Sequence, residues 1–305
     1  MFKHYLKLAR LDHWFKNIFM LPGILLALVY FRDQHHGFIL AYNIVAGILS
    51  TCFIASANYT INEWLDASFD KFHPLKKNRS AVTQDLKHSY VYLQYALFAM
   101  GGFILSYTIS VPFLLANASL LFMGIVYNVY PMRSKEKAYI DVISESINNP
   151  IRLVLGWYIV TSQGFPPASL LISYWMGGAF LMATKRFSEY RFINDPDKAG
   201  LYRSSFKYYN EERLLISMFF YALTASFFLA IFLIKHRIEL LISFPFFALL
   251  FAWYLKLGFK KDSSAQRPEK MYKEKGFVAF VIIFSLLIIG LFLVDMPFLY
   301  FFLEK

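Results

Sequence analysis

Apolar residues run along this chain in long blocks separated by polar links. Nine blocks stand out, at residues 17–31, 37–62, 89–109, 111–130, 139–160, 167–184, 214–234, 238–255 and 277–302. Hydrocarbon cannot hydrogen-bond a backbone N–H or C=O, so each block is predicted to be a helix, and about 20 residues suffice to cross a bilayer. The first block is short and is expected to borrow length from residues 11–16 or to tilt. A signal peptide is a poor reading of it, because no small-x-small cleavage site follows Leu28. The pattern therefore predicts an all-α, polytopic bundle of nine transmembrane helices. With no low-complexity stretch and no Pro/Gly-rich linker, residues 1–305 are expected to form a single transmembrane domain.

Composition sharpens this. The chain is 58% hydrophobic and 17% charged, where soluble domains carry about a quarter charged residues. That excludes a disordered chain and an ordinary soluble enzyme. The single cysteine, Cys52, excludes a disulfide framework and reads as a small packing residue.

The net charge of +11 matters less than its placement. If the N-terminus is inside, the inner links hold Lys3, Lys7, Arg10 and Lys16; Lys71, Lys76, Lys77, Arg79 and Lys87; Arg133, Lys135 and Lys137; Lys185, Arg186, Arg191, Lys198, Arg203 and Lys207; and Lys256, Lys260, Lys261, Arg267, Lys270, Lys273 and Lys275. The outside holds only Arg32, Lys235, Arg237 and Lys305, while Arg152 and Arg213 lie in or at the edge of blocks. This asymmetry predicts a cytoplasmic N-terminus and an outer C-terminus, in the cytoplasmic membrane if the source is bacterial. The inner links at 63–88, 185–213 and 256–276 are long and the outer ones short. Function is thus expected at a cavity facing the cytoplasm, with the lipid bilayer as a partner and no nucleic acid.

Four polar stripes interrupt the apolar pattern. Asn62, Asp66 and Asp70 are spaced i, i+4, i+8, which puts them on one helical face. Carboxylates at the inner end of a span need neutralising. Mg²⁺ does this with one or two carboxylates, completed by water and substrate phosphates. Lys71, His73, Lys76, Lys77 and Arg79 follow, a cluster suited to a diphosphate. In the second stripe, Asp141, Glu145, Asn148 or Asn149, and Arg152 again share a face, and Pro150 invites a kink. Intramembrane acids default to functional sites; the competing reading is an internal network that only holds helices together. The third stripe, Lys185–Arg191 at the inner end of the sixth block, pairs Lys185 with Glu189 at i, i+4; its competing reading is a surface ion pair among inner-side cations. The fourth sets Lys16 and Asn17 where the first block enters the bilayer, beside Trp14 as an interfacial anchor. His35 and His36 read as solvated loop residues, and Asp295, near the outer end of the last block, as a surface group.

On these residues the chain resembles the UbiA superfamily of intramembrane transferases. That family is known for nine helices, an N-[DE]-x-x-D-x-x-x-D motif after the second helix and a second acidic motif after the fourth. Here the first motif runs from Asn62 through Glu63 and Asp66 to Asp70, followed by His73, Pro74 and Arg79; the second begins at Asp141. His13-Trp14-Phe15-Lys16-Asn17 resembles the Q-W-x-K-N opening of the branch that includes decaprenyl-phosphate phosphoribosyltransferase. Lys137 to Val142, with Arg152 and Gly156 beyond, is similar to that branch's second motif, and Lys185 to Glu189 to its K-R-[YF]-x-E signature. The chain departs from the pattern in three places: Glu63 for the commoner aspartate, Ser80 for proline, and Glu145 to Pro150 for a more apolar stretch.

The resemblance implies Mg²⁺-dependent transfer of a 5-phosphoribosyl group from phosphoribosyl diphosphate to a polyprenyl phosphate. Asn62, Asp66 and Asp70 would hold the metal. Lys76, Lys77, Arg79, Lys185 and Arg186 would balance the diphosphate, with Glu189 in the same signature. Arg152, Lys16 or Lys137 would position the lipid phosphate, beside Asn17 and Asn148, and Tyr139 and Asp141 would bind ribose hydroxyls or a second metal. The alternative is transfer of a polyprenyl group from its diphosphate to an aromatic acceptor; Glu145 then completes a D-x-x-x-E pair for a second Mg²⁺. A secondary transporter is a third reading, disfavoured because no paired Gly/Pro-broken segments recur in two halves.

Overall fold

The computed structural model describes residues 2–31, 37–261 and 263–302. Arg32, His35, His36 and Lys305 lie outside them. The regular elements of the described residues are all helical: α1 (Phe2–Leu8), α2 (Leu21–Tyr30), α3 (Gly37–Asp70), α4 (Ser80–Thr83), α5 (His88–Ile109), α6 (Val111–Asn128), α7 (Ile140–Ser146), α8 (Asn148–Val160), α9 (Ala168–Ile193), α10 (Pro196–Tyr202), α11 (Glu211–His236), α12 (Phe244–Gly258) and α13 (Lys275–Leu293), with short 3₁₀ turns between them. Seven helical stretches are long and apolar enough to cross a membrane: Lys3–Tyr30, Gly37–Asp70, His88–Ile109, Val111–Asn128, Glu211–His236, Ile238–Gly258 and Lys275–Leu293. The protein is an integral, multi-pass membrane protein.

The fifth and sixth apolar blocks are not among the seven, so the expected nine crossings are not all carried by helices of that kind. Block 139–160 divides at Ile147 into α7 and α8. Pro150 has no N–H for the Ser146 carbonyl four residues back, so the helical ladder is interrupted there. Block 167–184 continues to Ile193 as α9, whose last turns carry Lys185, Arg186, Glu189 and Arg191. The first block takes its missing length as expected, through a 3₁₀ segment at Leu11–Met20. The last block ends early: α13 stops at Leu293, and Asp295 lies beyond it, largely exposed, paired with Arg237 at 2.9 Å.

The chain divides into two compact units, Met1–Pro166 with Ile193–Tyr209, and Pro167–Phe192 with Asn210–Lys305. In the first, α3 is the central element. Its 34 residues extend about 51 Å at 1.5 Å per residue, well past a hydrocarbon core of ~30 Å, so its last turns project beyond the apolar layer. It packs antiparallel to α5, where Ser50 donates to the Gly102 carbonyl and Gln94 to Thr60. Asn117 of α6 donates to both Ser50 and Ser106, so these polar atoms satisfy one another inside the apolar bundle. The Met20, Ile54, Phe113, Leu120, Leu155 and Ile159 side chains form the core.

Two glycines set how closely α8 approaches α2 and the turn before it. A Cβ on Gly23 would lie 2.0 Å from the Leu153 carbonyl oxygen, and one on Gly156 would lie 2.0 Å from that of Met20. Small residues at such crossings let helix backbones touch.

In the second unit, Ser173 of α9 donates to the Ala225 carbonyl of α11. Phe180 meets Phe251 edge-on at 4.8 Å. Arg237 pairs with the buried Glu239 at 3.4 Å.

Candidate active site

The i, i+4, i+8 stripe lies on one continuous helix, the projecting end of α3. Asn62 donates to Asp66 at 3.1 Å and to Asn128, at the end of α6, at 2.5 Å. The link between α6 and α7 then folds back over this end. Its Arg133 and Lys135 are only 4% exposed, and both reach Asp66: the guanidinium at 3.2 Å, the ammonium in direct contact. Lys135 also donates to Asn128 at 2.9 Å. Burial pushes the Lys135 ammonium down to about 8, against the opposing pull of Asp66.

Asp70 has a different cation. Arg79, at the start of α4, donates to it at 2.7 Å and lies 3.3 Å from Glu63. Arg10 approaches Glu63 from the other side at 3.7 Å. The buried Glu63 thus sits between two guanidinium groups, and these carboxylates hold the Arg79 pKa above the usual arginine value even though burial works against it.

Asp66 and Asp70 line one cleft with Phe69, Arg133, Lys135, Glu136, Tyr202, Arg203 and Ser204. The last three come from the returning segment Ile193–Tyr209. Its Tyr202 ring meets His73 at 4.7 Å and takes the Lys76 ammonium over its face at 4.5 Å. Arg203 donates to the Tyr127 hydroxyl at 3.3 Å.

The second stripe is divided between two neighbourhoods. Asp141 is fully buried; it accepts from Tyr209 at 2.7 Å and Ser205 at 3.2 Å. Glu145 accepts from Tyr127 at 2.8 Å. One turn and more further on, Arg152 donates to Asn17 at 2.9 Å and to the Asn148 carbonyl at 3.1 Å, and Asn17 donates to Cys52 at 3.1 Å. Lys16 lies over the Tyr59 ring at 5.6 Å. Arg152 and Asn17 are buried, a polar pair inside an otherwise apolar crossing.

The structure thus brings Asn62, Asp66, Asp70, Arg79 and Lys76 around the projecting end of α3. It joins Asn17 to Arg152 and Asn148 at a separate point. Lys77, Lys137 and Tyr139 are exposed. In the second unit, Arg186 and Glu189 are both buried, 3.6 Å apart, and Lys185 is half-buried beside them. Sequence reading singled out Lys137, which is exposed, whereas the buried lysine of this link is Lys135. It also passed over Arg133, Tyr127, Asn128, Arg203 and Tyr209, which no stripe marks.

Among the described residues no group of three or more histidine, cysteine, aspartate or glutamate side chains forms a metal cage. Asp66 and Asp70 nevertheless fit Mg²⁺ in its usual protein form, in which one or two carboxylates supply hard oxygen donors and substrate phosphates complete the shell. Both open on the same cleft, and its cationic wall suits those phosphates.

The family model described as the UbiA prenyltransferase family matches residues 19–281. This chain belongs to the UbiA prenyltransferase family. It is an enzyme, a UbiA-family transferase. A structure of a UbiA homolog from Archaeoglobus fulgidus bound to GPP and Mg²⁺ is 21% identical, with a TM-score of 0.69 over 95% of this chain and 100% of the other. The same homolog bound to DMAPP and Mg²⁺ gives 20% and 0.70 over 96% and 100%. A structure of digeranylgeranylglyceryl phosphate synthase gives 17% and 0.63 over 96% and 99%. These likenesses show that the UbiA membrane fold runs through nearly the whole chain. No curated protein matches it.

Proposed function

We propose that this protein transfers a 5-phosphoribosyl group from phosphoribosyl diphosphate to a polyprenyl phosphate, releasing diphosphate, with Mg²⁺ as cofactor. The observation that carries the reading is the state of the second acidic stripe. A second Mg²⁺ for a prenyl diphosphate would call on Asp141 and Glu145 together. Here Asp141 is taken up by Tyr209 and Ser205, and Glu145 by Tyr127. Of the two acid pairs, Asp66 and Asp70 line the cleft beside Arg133, Lys135 and Arg203, whereas Asp141 and Glu145 are not in its wall.

In this reading Asp66 and Asp70, with Asn62, hold the metal, which stabilises the negative charge that develops on the leaving diphosphate. Lys135, Arg133 and Arg203 line the cleft for the donor's phosphate oxygens; Arg79 and Lys76 stand behind it. The reaction is a displacement at ribose C1. An oxygen of the lipid phosphate forms the new C1–O bond, and the C1–O bond to diphosphate breaks with its electron pair leaving on the diphosphate. The product is inverted at C1. The acceptor is already an anion, so no strong general base is needed. Arg152 with Asn17 is assigned to the lipid phosphate, because ionisable residues inside apolar crossings mark substrate pathways. Lys16, Lys137, Tyr139, Asn148, Lys185, Arg186 and Glu189 stay candidates for substrate contact. The cleft faces the cytoplasm, with the N-terminus on that side, nine crossings and one functional domain.

Prenyl transfer to an aromatic acceptor is the second reading, favoured by the GPP- and DMAPP-bound homolog of the same fold. A ligand that binds only the native state raises its unfolding temperature. The test is thermal unfolding in detergent with Mg²⁺ and either phosphoribosyl diphosphate or geranyl diphosphate. Stabilisation by the first alone supports the proposal; stabilisation by the second alone rejects it.

A further inference from the structure

We infer that Asp141 is a positioning residue: it latches residues 203–209 against the rest of the first unit and so sets Arg203 over the donor's diphosphate. This rests on the reading of the Asp66–Asp70 cleft as a diphosphate site.

Asp141 is not in the wall of that cleft, whereas Arg203 and Ser204 are. Its two carboxylate oxygens are instead aimed at the segment that carries them. Oδ1 accepts from the Tyr209 hydroxyl at 2.7 Å, and Oδ2 accepts from Ser205 at 3.2 Å and lies 3.8 Å from the Arg203 guanidinium. Hydrogen bonds to a buried carboxylate are charge-assisted and roughly twice as strong as neutral ones. The Tyr209 hydroxyl closes a loop by accepting the Tyr139 backbone N–H at 2.5 Å, and the two rings meet edge-on at 5.4 Å. Tyr139 has φ of 65°, a region that non-glycine residues enter rarely and keep only when their surroundings fix them. Both ends of the latch are therefore held.

The other contacts of Arg203 fix what the latch presents. Its guanidinium reaches the Tyr127 hydroxyl at 3.3 Å and the Lys135 carbonyl at 3.5 Å. Lys135 in turn contacts Asp66. A residue brought from more than sixty positions downstream thereby joins the cations beside the first stripe. A planar guanidinium there can fork onto two phosphate oxygens. A metal ligand and a latch make different demands. A ligand must lose its metal when its carboxylate is replaced. A latch must fail equally when its partner hydroxyl is removed and every carboxylate is kept.

The test uses the full protein in detergent with Mn²⁺ and inorganic diphosphate as probes. Bound Mn²⁺ is counted by electron paramagnetic resonance and diphosphate affinity is measured by titration calorimetry. Asp141→Asn, Tyr209→Phe and Arg203→Ala are expected to keep the wild-type Mn²⁺ count. Each should bind diphosphate about tenfold more weakly, the loss of one hydrogen bond to a charged group. The Asp141→Asn/Tyr209→Phe pair should be no worse than Asp141→Asn alone. Loss of Mn²⁺ in Asp141→Asn but not in Tyr209→Phe overturns the latch in favour of a metal ligand. Wild-type affinity in Tyr209→Phe, a variant that keeps all the acids if Asp141→Asn does not fold, overturns it too. Absence of diphosphate binding by the wild type overturns the cleft reading and the latch with it; failure of the latch alone leaves wild-type binding intact.

Discussion

Arg152 donates to the side chain of Asn17 at 2.9 Å across 135 residues of chain. Two side chains so distant in sequence meet inside an apolar crossing because Gly23 and Gly156 let their helices touch, each facing the other helix's carbonyl oxygens.

This contact makes the first prediction. Gly156→Ala puts a methyl group where the Met20 carbonyl already sits, and overpacking of this kind costs about 1–3 kcal/mol. A lower unfolding temperature in detergent is expected, together with weaker use of the lipid acceptor as Arg152 and Asn17 separate. Wild-type stability and acceptor KM would show that the crossing is slack.

Lys135 is the second. Its ammonium is buried on Asp66 and lines the cleft. A hydrogen bond to a charged group is worth about 1.5–3 kcal/mol, so Lys135→Ala should raise the donor KM by roughly ten- to a hundredfold. Lys135→Arg should recover part of it. Steady-state kinetics with varied donor measures both, and an unchanged donor KM in the alanine variant rules the assignment out.

Glu63 is the third. It shares Arg79 with Asp70. In Glu63→Gln the guanidinium keeps only Asp70 as a charged partner and competes harder with Mg²⁺ for it. The Mg²⁺ concentration for half-maximal activity should rise several-fold, and Glu63→Asp should restore most of the difference. A magnesium titration indifferent to both changes would contradict this.

The fourth concerns the two acids of the first stripe. Asp66→Asn and Asp70→Asn keep an oxygen acceptor for the surrounding cations but lose the charge that binds Mg²⁺. Both are expected to abolish turnover while the protein stays inserted and folded by circular dichroism. Full activity of both variants at low Mg²⁺ would remove these residues from the metal site. Glu145→Gln, by contrast, keeps an oxygen acceptor for the Tyr127 hydroxyl and should be mild.

What the sequence made legible follows its periodicities. Apolar blocks gave the membrane helices, and the i, i+4, i+8 spacing of Asn62, Asp66 and Asp70 placed them on one face because α3 continues unbroken to Asp70. Periodicity has no purchase on links. Lys135 and Lys137 are two residues apart in a basic stretch, and only the fold buries one on Asp66 and exposes the other. Arg203 and Tyr209 reach the site through a segment that follows α9, so nothing local marks them. The second stripe is divided in a way that spacing does not mark. Asp141 and Glu145 share a helical face, yet hydroxyls from Tyr209 and Tyr127 claim them separately. Two of the expected crossings do not read as single long apolar helices: Pro150 divides one, and polar residues extend the other into α9.

The central claim is the donor and the acceptor. Purified protein in detergent, given phosphoribosyl diphosphate and a polyprenyl phosphate with and without Mg²⁺, measures it directly by chromatography of the lipid product. A phosphoribosylated lipid formed only with Mg²⁺ is the predicted result. No such product, alongside turnover of a polyprenyl diphosphate with an aromatic acceptor, would contradict the account and assign the protein to prenyl transfer.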